Sequence, residues 1–245
     1  MAVNQIPRVQ DELARPGVSA RDKYSALIIG KPGMGPLIKY ELIVVLSQHV
    51  PGALGLALRK ALYPLLLGSC GRNVVFGQNV VLRHPHKIRI ADNVVIDDNC
   101  LIDAKGESNT GIQIGSGVFM GRNSILSCKN GDIELADGAN IGFNCEIFSA
   151  SRVRVGRNAL IAAYSYLIGG DHDFSDPSRA VLDQPRTSRG ISVGDGAWIG
   201  AGVKVLDGVT IGDQAVVGAG AVVRDSVPDR ATAVGVPARV VGTRE

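Results

Sequence analysis

A chain of 245 residues with a net charge of +3 is long enough for one large domain or two small ones, and too weakly basic to argue for a nucleic-acid partner. Aromatic residues supply only 4% of it while 31 residues are glycine, a balance suited to thin walls and tight corners. The four cysteines include no C-x-x-C pair, so no zinc or dithiol redox motif is present.

The first 35 residues are polar, contain Pro7, Pro16 and Pro32, and are expected to form an extended arm. Asp11 and Glu12 lie where a signal peptide would need an apolar run, which points to the cytoplasm. From Leu37 the character changes: KYELIVVLSQHV predicts a helix, apolar almost all round, ending at Pro51. Leu54, Leu58, Ala61, Leu62 and Leu65 mark a second helix, ended or kinked by Pro64. Neither segment reaches the ~20 apolar residues of a membrane span, and Arg59 and Lys60 interrupt the second. Two roles are open to these helices. They cap the open end of the domain that follows, or residues 36–67 make a peripheral contact with the cytoplasmic face of the inner membrane. The second role would be aided by the basic corner Arg83, His84, His86, Lys87 and Arg89, which reads equally well as a solvated corner.

From Cys70 onward a single hexad register runs to the end of the chain. Its first position reads Cys70, Phe76 and Leu82, then restarts at Ile90, Ile114, Leu135, Val155, Val193 and Ile211, each heading a group of three hexads. Period six belongs to neither a helix nor a simple strand; it arises when short extended runs alternate with corners. The fifth position is small throughout, for example Val74, Cys100, Ser124, Ala139, Cys145, Ala197 and Ala221, as a slot near the corner of a narrow prism requires. The fourth is mostly Asn or Gly, which tolerate positive φ. Asn144 falls in that slot and is assigned to structure, and the cysteines in core slots are assigned to packing as free thiols. The expected fold is an all-β solenoid of about seven 18-residue coils with an α-helical N-terminal extension. Residues 1–67 form the arm and cap, and residues 68–241 the coil domain.

Successive coils start at 70, 90, 114, 135, 155, 193 and 211, so the corners carry insertions of 2, 6, 3, 2, 20 and 0 residues. The largest follows Leu167, covers roughly residues 171–192 and is entered through GGDHDF, which starts at Gly169. A long excursion from an otherwise thrifty solenoid is expected to carry function. His172 stands at its base between Asp171 and Asp173. An imidazole titrates near neutrality and takes a proton from a hydroxyl or amine as that group attacks a thioester. A neighbouring carboxylate would fix its tautomer, and Asp171 is the candidate, although aspartate beside glycine also forms turns. A solvated loop histidine is the plain alternative. Trp198, the only tryptophan, follows one coil later in GAWIGAG.

The hexads, the GGDHDF string and the C-terminal VPDRATAVGVPARVVG resemble the hexapeptide-repeat acyltransferase superfamily over residues 70–241, in the manner of galactoside, maltose and polysaccharide O-acetyltransferases. The resemblance implies a left-handed parallel β-helix, a homotrimer with active sites in the grooves between subunits, acetyl-CoA as acyl donor, and no metal. It implies His172 as general base with Asp171 beside it, and Trp198 and Asp173 in the acceptor pocket. The pantetheine arm would run along the stacked corners of WIGAGV and VVGAGA, at Ala201, Gly202, Ala219 and Gly220. Pro237 would lie near the adenine and Arg239, with its planar fork of donors, near the nucleotide phosphates. The implied activity is direct acetyl transfer to a sugar hydroxyl in surface-polysaccharide or lipid-linked glycan biosynthesis. Arg179, Arg186 and Arg189 on the insertion would favour a phosphorylated or nucleotide-linked acceptor. N-acetylation of an amino sugar is a near neighbour, and serine acetyltransferase shares the C-terminal segment but usually has a larger helical domain. A carbonic anhydrase of this fold needs three converging histidines, whereas only His49, His84, His86 and His172 exist. A non-catalytic scaffold has no need of the insertion.

Overall fold

The computed structural model describes residues 9–245; the start of the polar arm, with Pro7, lies outside the described residues. The described part of the arm is helical rather than extended. Helices α1 (Val9–Ala14) and α2 (Ala20–Tyr24) lead into a π-helical turn, Ser25–Ile29, which Gly30 ends at φ 72°. Ser19 caps α2 by accepting the Asp22 N–H, a local bond that the polar composition conceals. The two apolar segments form α3 (Met34–Ser47) and α4 (Gly52–Leu62), followed by a 3₁₀ turn through Pro64. Helix α3 starts earlier than its apolar run, because Pro36 fits a first helical turn.

From Ser69 the chain coils into a three-faced parallel β-helix. The first face begins with Ser69–Cys70 and Ile88–Ile90, the second with Val75–Phe76 and Val95–Ile96, and the third with Val81–Arg83 and Leu101–Asp103. Pairing follows the hexads residue for residue: Cys70 lies beside Ile90, Phe76 beside Ile96, and Leu82 beside Ile102. The first- and fifth-position side chains fill the prism, from Phe76 at one end to Val223 at the other. Asparagines at the corners, including Asn73, Asn99, Asn144 and Asn158, take φ between 52° and 58°.

Seven turns are complete, and a partial eighth adds Val227 against Ile211 and Ala231–Val234 beside Val216–Val217. The hexad count stops one turn short because this last step is shorter than the repeat: Asp213 N–H donates to Asp229, only 16 residues on. The chain then closes the end with Arg239–Thr243, antiparallel to Ala231–Val234. All four cysteines are free, three of them buried in the wall or core.

At the other end the helices cover the open first turn. A strand with no neighbour exposes a row of carbonyls, and side chains of the cap satisfy them. Tyr40 Oη donates to Leu82 O, Tyr63 Oη to Val80 O, and Arg59 Nε to Phe76 O, all within 2.9 Å. The turn Ser25–Ile29 closes over the basic corner, where the His84 N–H donates to Ile28 O at 2.7 Å. His84 is only 4% exposed, so the corner is covered at this residue, while Arg89 at its edge stays exposed. No described helix is long and apolar enough to cross a membrane.

Candidate active site

Each turn has three corners, and the 20-residue excursion leaves from the one joining the third face to the first. The strand Tyr166–Gly169 ends the third face, and Ile191–Val193 resumes the first, so the coil is rejoined slightly before residue 192. The excursion is a stem rather than a free loop. Asp171–His172 pairs antiparallel with Arg186–Thr187, setting His172 opposite Arg186, and the Asp173 N–H donates to Pro185 O at 2.9 Å. Glycine is required where the stem leaves and returns. A Cβ on Gly170 would meet the Ala150 methyl at 2.8 Å, and one on Gly190 would meet Arg152 O at 2.4 Å.

Two polar residues that the hexads do not single out hold the stem in place. Buried Asp207 accepts the backbone N–H groups of Arg189 and Gly190, at 2.7 and 2.9 Å. Buried Gln184 anchors the tip, donating to Asp176 O and Arg179 O while accepting the Asp176 N–H. Ser188 adds a bond to Gly169 O and another to Ser151 Oγ. Such anchors leave no periodic signal; an Asp two residues after the buried first-position Val205, facing the corner excursion, is the only trace.

His172 itself is half-buried, and its Nδ1 is shielded from solvent with no hydrogen-bond partner. Buried polar atoms are almost always paired, and this imidazole nitrogen is an exception. Asp171 does not supply that partner. Its carboxylate accepts the backbone N–H of His172 at 2.8 Å, so it orients the main chain rather than the ring. Asp173 turns away to the Ser175 N–H, and the backbone and hydroxyl of Ser175 hold its carboxyl below the usual range.

The remaining sequence-selected residues lie elsewhere on the prism. Trp198 is half-exposed on the second face, between Leu160 and Val216. Ala201, Gly202, Ala219 and Gly220 form the corner between the second and third faces, stacked by Gly220 N–H to Ala201 O at 2.8 Å. Space is open above it: a Cβ on Gly220 would meet nothing within 4 Å. That surface suits a thin chain lying along the coil axis. One turn earlier the same column holds Tyr164, exposed and forced to φ 62°, where every neighbouring turn has Asn or Gly. A bulky side chain is strained at this φ, whereas the Asn and Gly of the neighbouring turns adopt it readily. Pro237 is exposed, and Arg239 donates to Asp225 Oδ2 at 3.1 Å.

A single chain therefore keeps His172 and the open glycine corner apart, with the third face between them. The histidines also stand apart: His49 bonds Asn79, His84 and His86 sit on the first turn, and His172 on the fifth. Among the described residues no group of three His, Cys, Asp or Glu side chains is placed to hold a metal ion.

Known proteins share this architecture. Residues 190–225 match the family described as bacterial transferase hexapeptide (six repeats). Rv3034c of Mycobacterium tuberculosis, named as an acetyltransferase, is 33% identical over 134 residues, covering 55% of this chain and 45% of its own. WbbJ of Escherichia coli, named as an O-acetyl transferase of lipopolysaccharide biosynthesis, is 33% identical over 149 residues, covering 58% of this chain and 74% of its own. The chain thus spans less than half the length of the mycobacterial relative. Among solved structures, the polySia-specific acetyltransferase NeuO has the same fold, with a TM-score of 0.57 at 20% identity over 71% of this chain and 80% of that one. AntD, an N-acyltransferase from Bacillus cereus, does so with a TM-score of 0.56 at 21% identity over 81% and 91%. With the hexad coil observed and three quarters of WbbJ covered, the chain belongs to the hexapeptide-repeat acyltransferase superfamily.

Proposed function

We propose that this protein is an acetyl-CoA-dependent O-acetyltransferase that modifies a sugar hydroxyl in surface-polysaccharide or lipid-linked glycan biosynthesis. The observation that carries this reading is His172, fixed on a braced stem with a shielded, unpartnered Nδ1. The imidazole removes the hydroxyl proton as the oxygen attacks the thioester carbonyl; the C–S bond then breaks, and the thiolate leaves as CoA after taking up the proton. Direct transfer is favoured because no cysteine is suited to carry the acyl group. Burial pushes the Cys100 thiol up to about 11 and raises Cys70, Cys128 and Cys145 as well. The name of the WbbJ relative supports transfer to a saccharide oxygen over an amino sugar. In this reading the open corner at Ala201, Gly202, Ala219 and Gly220 takes the pantetheine arm. Arg239 has donors to offer the nucleotide phosphates beyond those held by Asp225 and Ala238 O. Release of free thiol from acetyl-CoA, measured over a panel of sugars and amino sugars, tests the proposal. Turnover with amines alone would overturn O-transfer, and no turnover with any acceptor would overturn the enzyme.

The separation of His172 from the glycine corner supports a homotrimer in which one subunit's base meets its neighbour's groove. The outward side chains favour the same arrangement. The first face is a charged ladder, with Arg152 and Arg154 on Glu134, while the second exposes Val75, Leu160 and Trp198. Leu160→Asp places a carboxylate in that apolar strip. It is expected to lower the light-scattering mass from three times the 25.7 kDa chain toward one; an intact trimer would remove the second face from the interface.

Helix α3 exposes Ile38, Leu42, Val45 and Leu46 on one side, which supports a peripheral membrane contact. Co-flotation with anionic vesicles is expected for the protein and is expected to be lost in the double variant Leu42→Glu, Leu46→Glu. Equal flotation of the two would dismiss this contact.

A further inference from the structure

A cavity of about 680 Å³ opens on the first three turns of the same corner that carries His172 on the fifth. His84, His86 and Lys87 of the first turn line it, with Lys105 of the second, Lys129 of the third, and Lys31 from the arm. Four lysines thus face two carboxylates, Asp22 and Glu107. The excess positive charge is gathered in a concave space rather than spread over a solvated face, which concentrates its field.

Both histidines are incompletely satisfied. His84 donates through Nε2 to Ala26 O at 3.0 Å, which leaves its buried Nδ1 without a hydrogen bond and 3.7 Å from Asp103 Oδ1. The backbone of Ile29 holds the His86 ring, whose Nδ1 is also buried and unpartnered. The arm fits closely over both rings: a Cβ on Gly30 would lie 2.1 Å from the His84 ring and 2.8 Å from that of His86. Burial, then Lys31, His84 and Lys87, hold His86 down at about 4, so near neutrality its Nδ1 is an acceptor with no donor. A bound anion reverses this balance. Its charge offsets the lysines, the ring keeps its proton, and Nδ1–H donates to an anion oxygen. Lys87 Nζ already donates to Gly106 O and Asn109 Oδ1, and its third N–H remains for a ligand.

We propose that this cavity binds the phosphate or diphosphate end of a glycan acceptor, whose sugars reach along the corner toward His172. The proposal rests on reading His172 as the base. From His86 on the first turn to His172 on the fifth is four strand spacings, roughly 19 Å, so a diphosphate held at His86 needs a glycan of two or more sugars to bring a hydroxyl to His172. Dianionic phosphate suits the lysine excess better than a single carboxylate, and the arm supplies both the roof and Lys31.

The four histidines are built-in reporters. Protein labelled at histidine Cε1 is titrated with inorganic pyrophosphate and followed by NMR. The His86 resonance is expected to move, and its protonation midpoint to rise by about one pH unit or more. Lys31→Glu is expected to weaken pyrophosphate binding about tenfold or more, while Lys60→Glu, exposed on α4 outside the cavity, retains it. Perturbation of His172 without His86, or equal binding by Lys31→Glu, would overturn the site. Pyrophosphate is also expected to compete with a glycosyl phosphate acceptor and not with acetyl-CoA; competition with acetyl-CoA alone would overturn the placement of the acceptor. Binding at His86 in a protein that transfers no acetyl group would keep the phosphate site and overturn the transfer reading.

Discussion

His172→Ala is expected to lower kcat by roughly two to four orders of magnitude, the usual contribution of a positioned general base. KM for acetyl-CoA should change little, because the residues read as holding the donor lie on a different corner. Stability should hardly change either. The side chain makes no hydrogen bond through Nδ1, and the stem is fixed by Asp207, Gln184 and Ser188, none of which depends on the ring. His172→Gln keeps the polarity but not the basicity, and should be as inactive as alanine. Asp171→Ala provides the contrast. It removes an acceptor from the His172 N–H but nothing from the ring, so its loss should be much smaller. Initial rates from thiol release, with thermal unfolding as a control on folding, separate these cases. Turnover near wild type in His172→Ala would leave the imidazole as a structural loop histidine.

The coil was legible because a hexad register reports one physical event repeated many times: a side chain entering the same slot on each face. Ile96, Met120, Ile141, Ile161 and Ile199 are all fully buried, and each is visible from spacing alone. The register even separates structural polar residues from others, since Asn144 takes the positive φ its slot demands. It fails where a single contact decides. The eighth turn is hidden by a corner two residues short, and the role of Asp207 by depending on the excursion it anchors, since Asp225 holds the same position one turn later and bonds Arg239 instead. The polar arm carries no pattern that says where it docks, so the corner at His84 reads as membrane-facing or solvated, although Ile28 and Gly30 lie over it. His172 stood out only because the excursion around it breaks the period. Its unpartnered nitrogen, and its distance from the glycine corner, are tertiary facts with no sequence signal.

Arg59 shows the same limit most sharply, and it carries the largest expected stability effect. In the sequence it interrupts an apolar stripe; in the fold it is 1% exposed. Its partners are carbonyl oxygens: Nε donates to Phe76 O at 2.9 Å, and Nη1 donates to Ser47 O and Val50 O at 2.9 and 2.8 Å. One guanidinium therefore ties the end of α3, the link to α4 and the open first turn together. Gly55 makes this possible, since a Cβ there would sit 1.8 Å from Val50 O. Arg59→Met preserves much of the apolar stem but leaves three carbonyls without their donor. The expected cost is about 3–5 kcal/mol, from unsatisfied buried acceptors. Arg59→Lys should recover only part, because a single ammonium cannot reproduce the directions of the fork. In a solenoid each turn answers mainly to its neighbours, so the loss should be local. Hydrogen exchange is expected to show Val75 and Val81, whose N–H groups bond into the second turn, opening more readily, while Leu160 and Tyr166 stay protected. Equal slowing or quickening along the whole coil would mean that Arg59 acts on global stability. Unchanged protection at Val75 would mean that the cap is held by Tyr40 and Tyr63 without it.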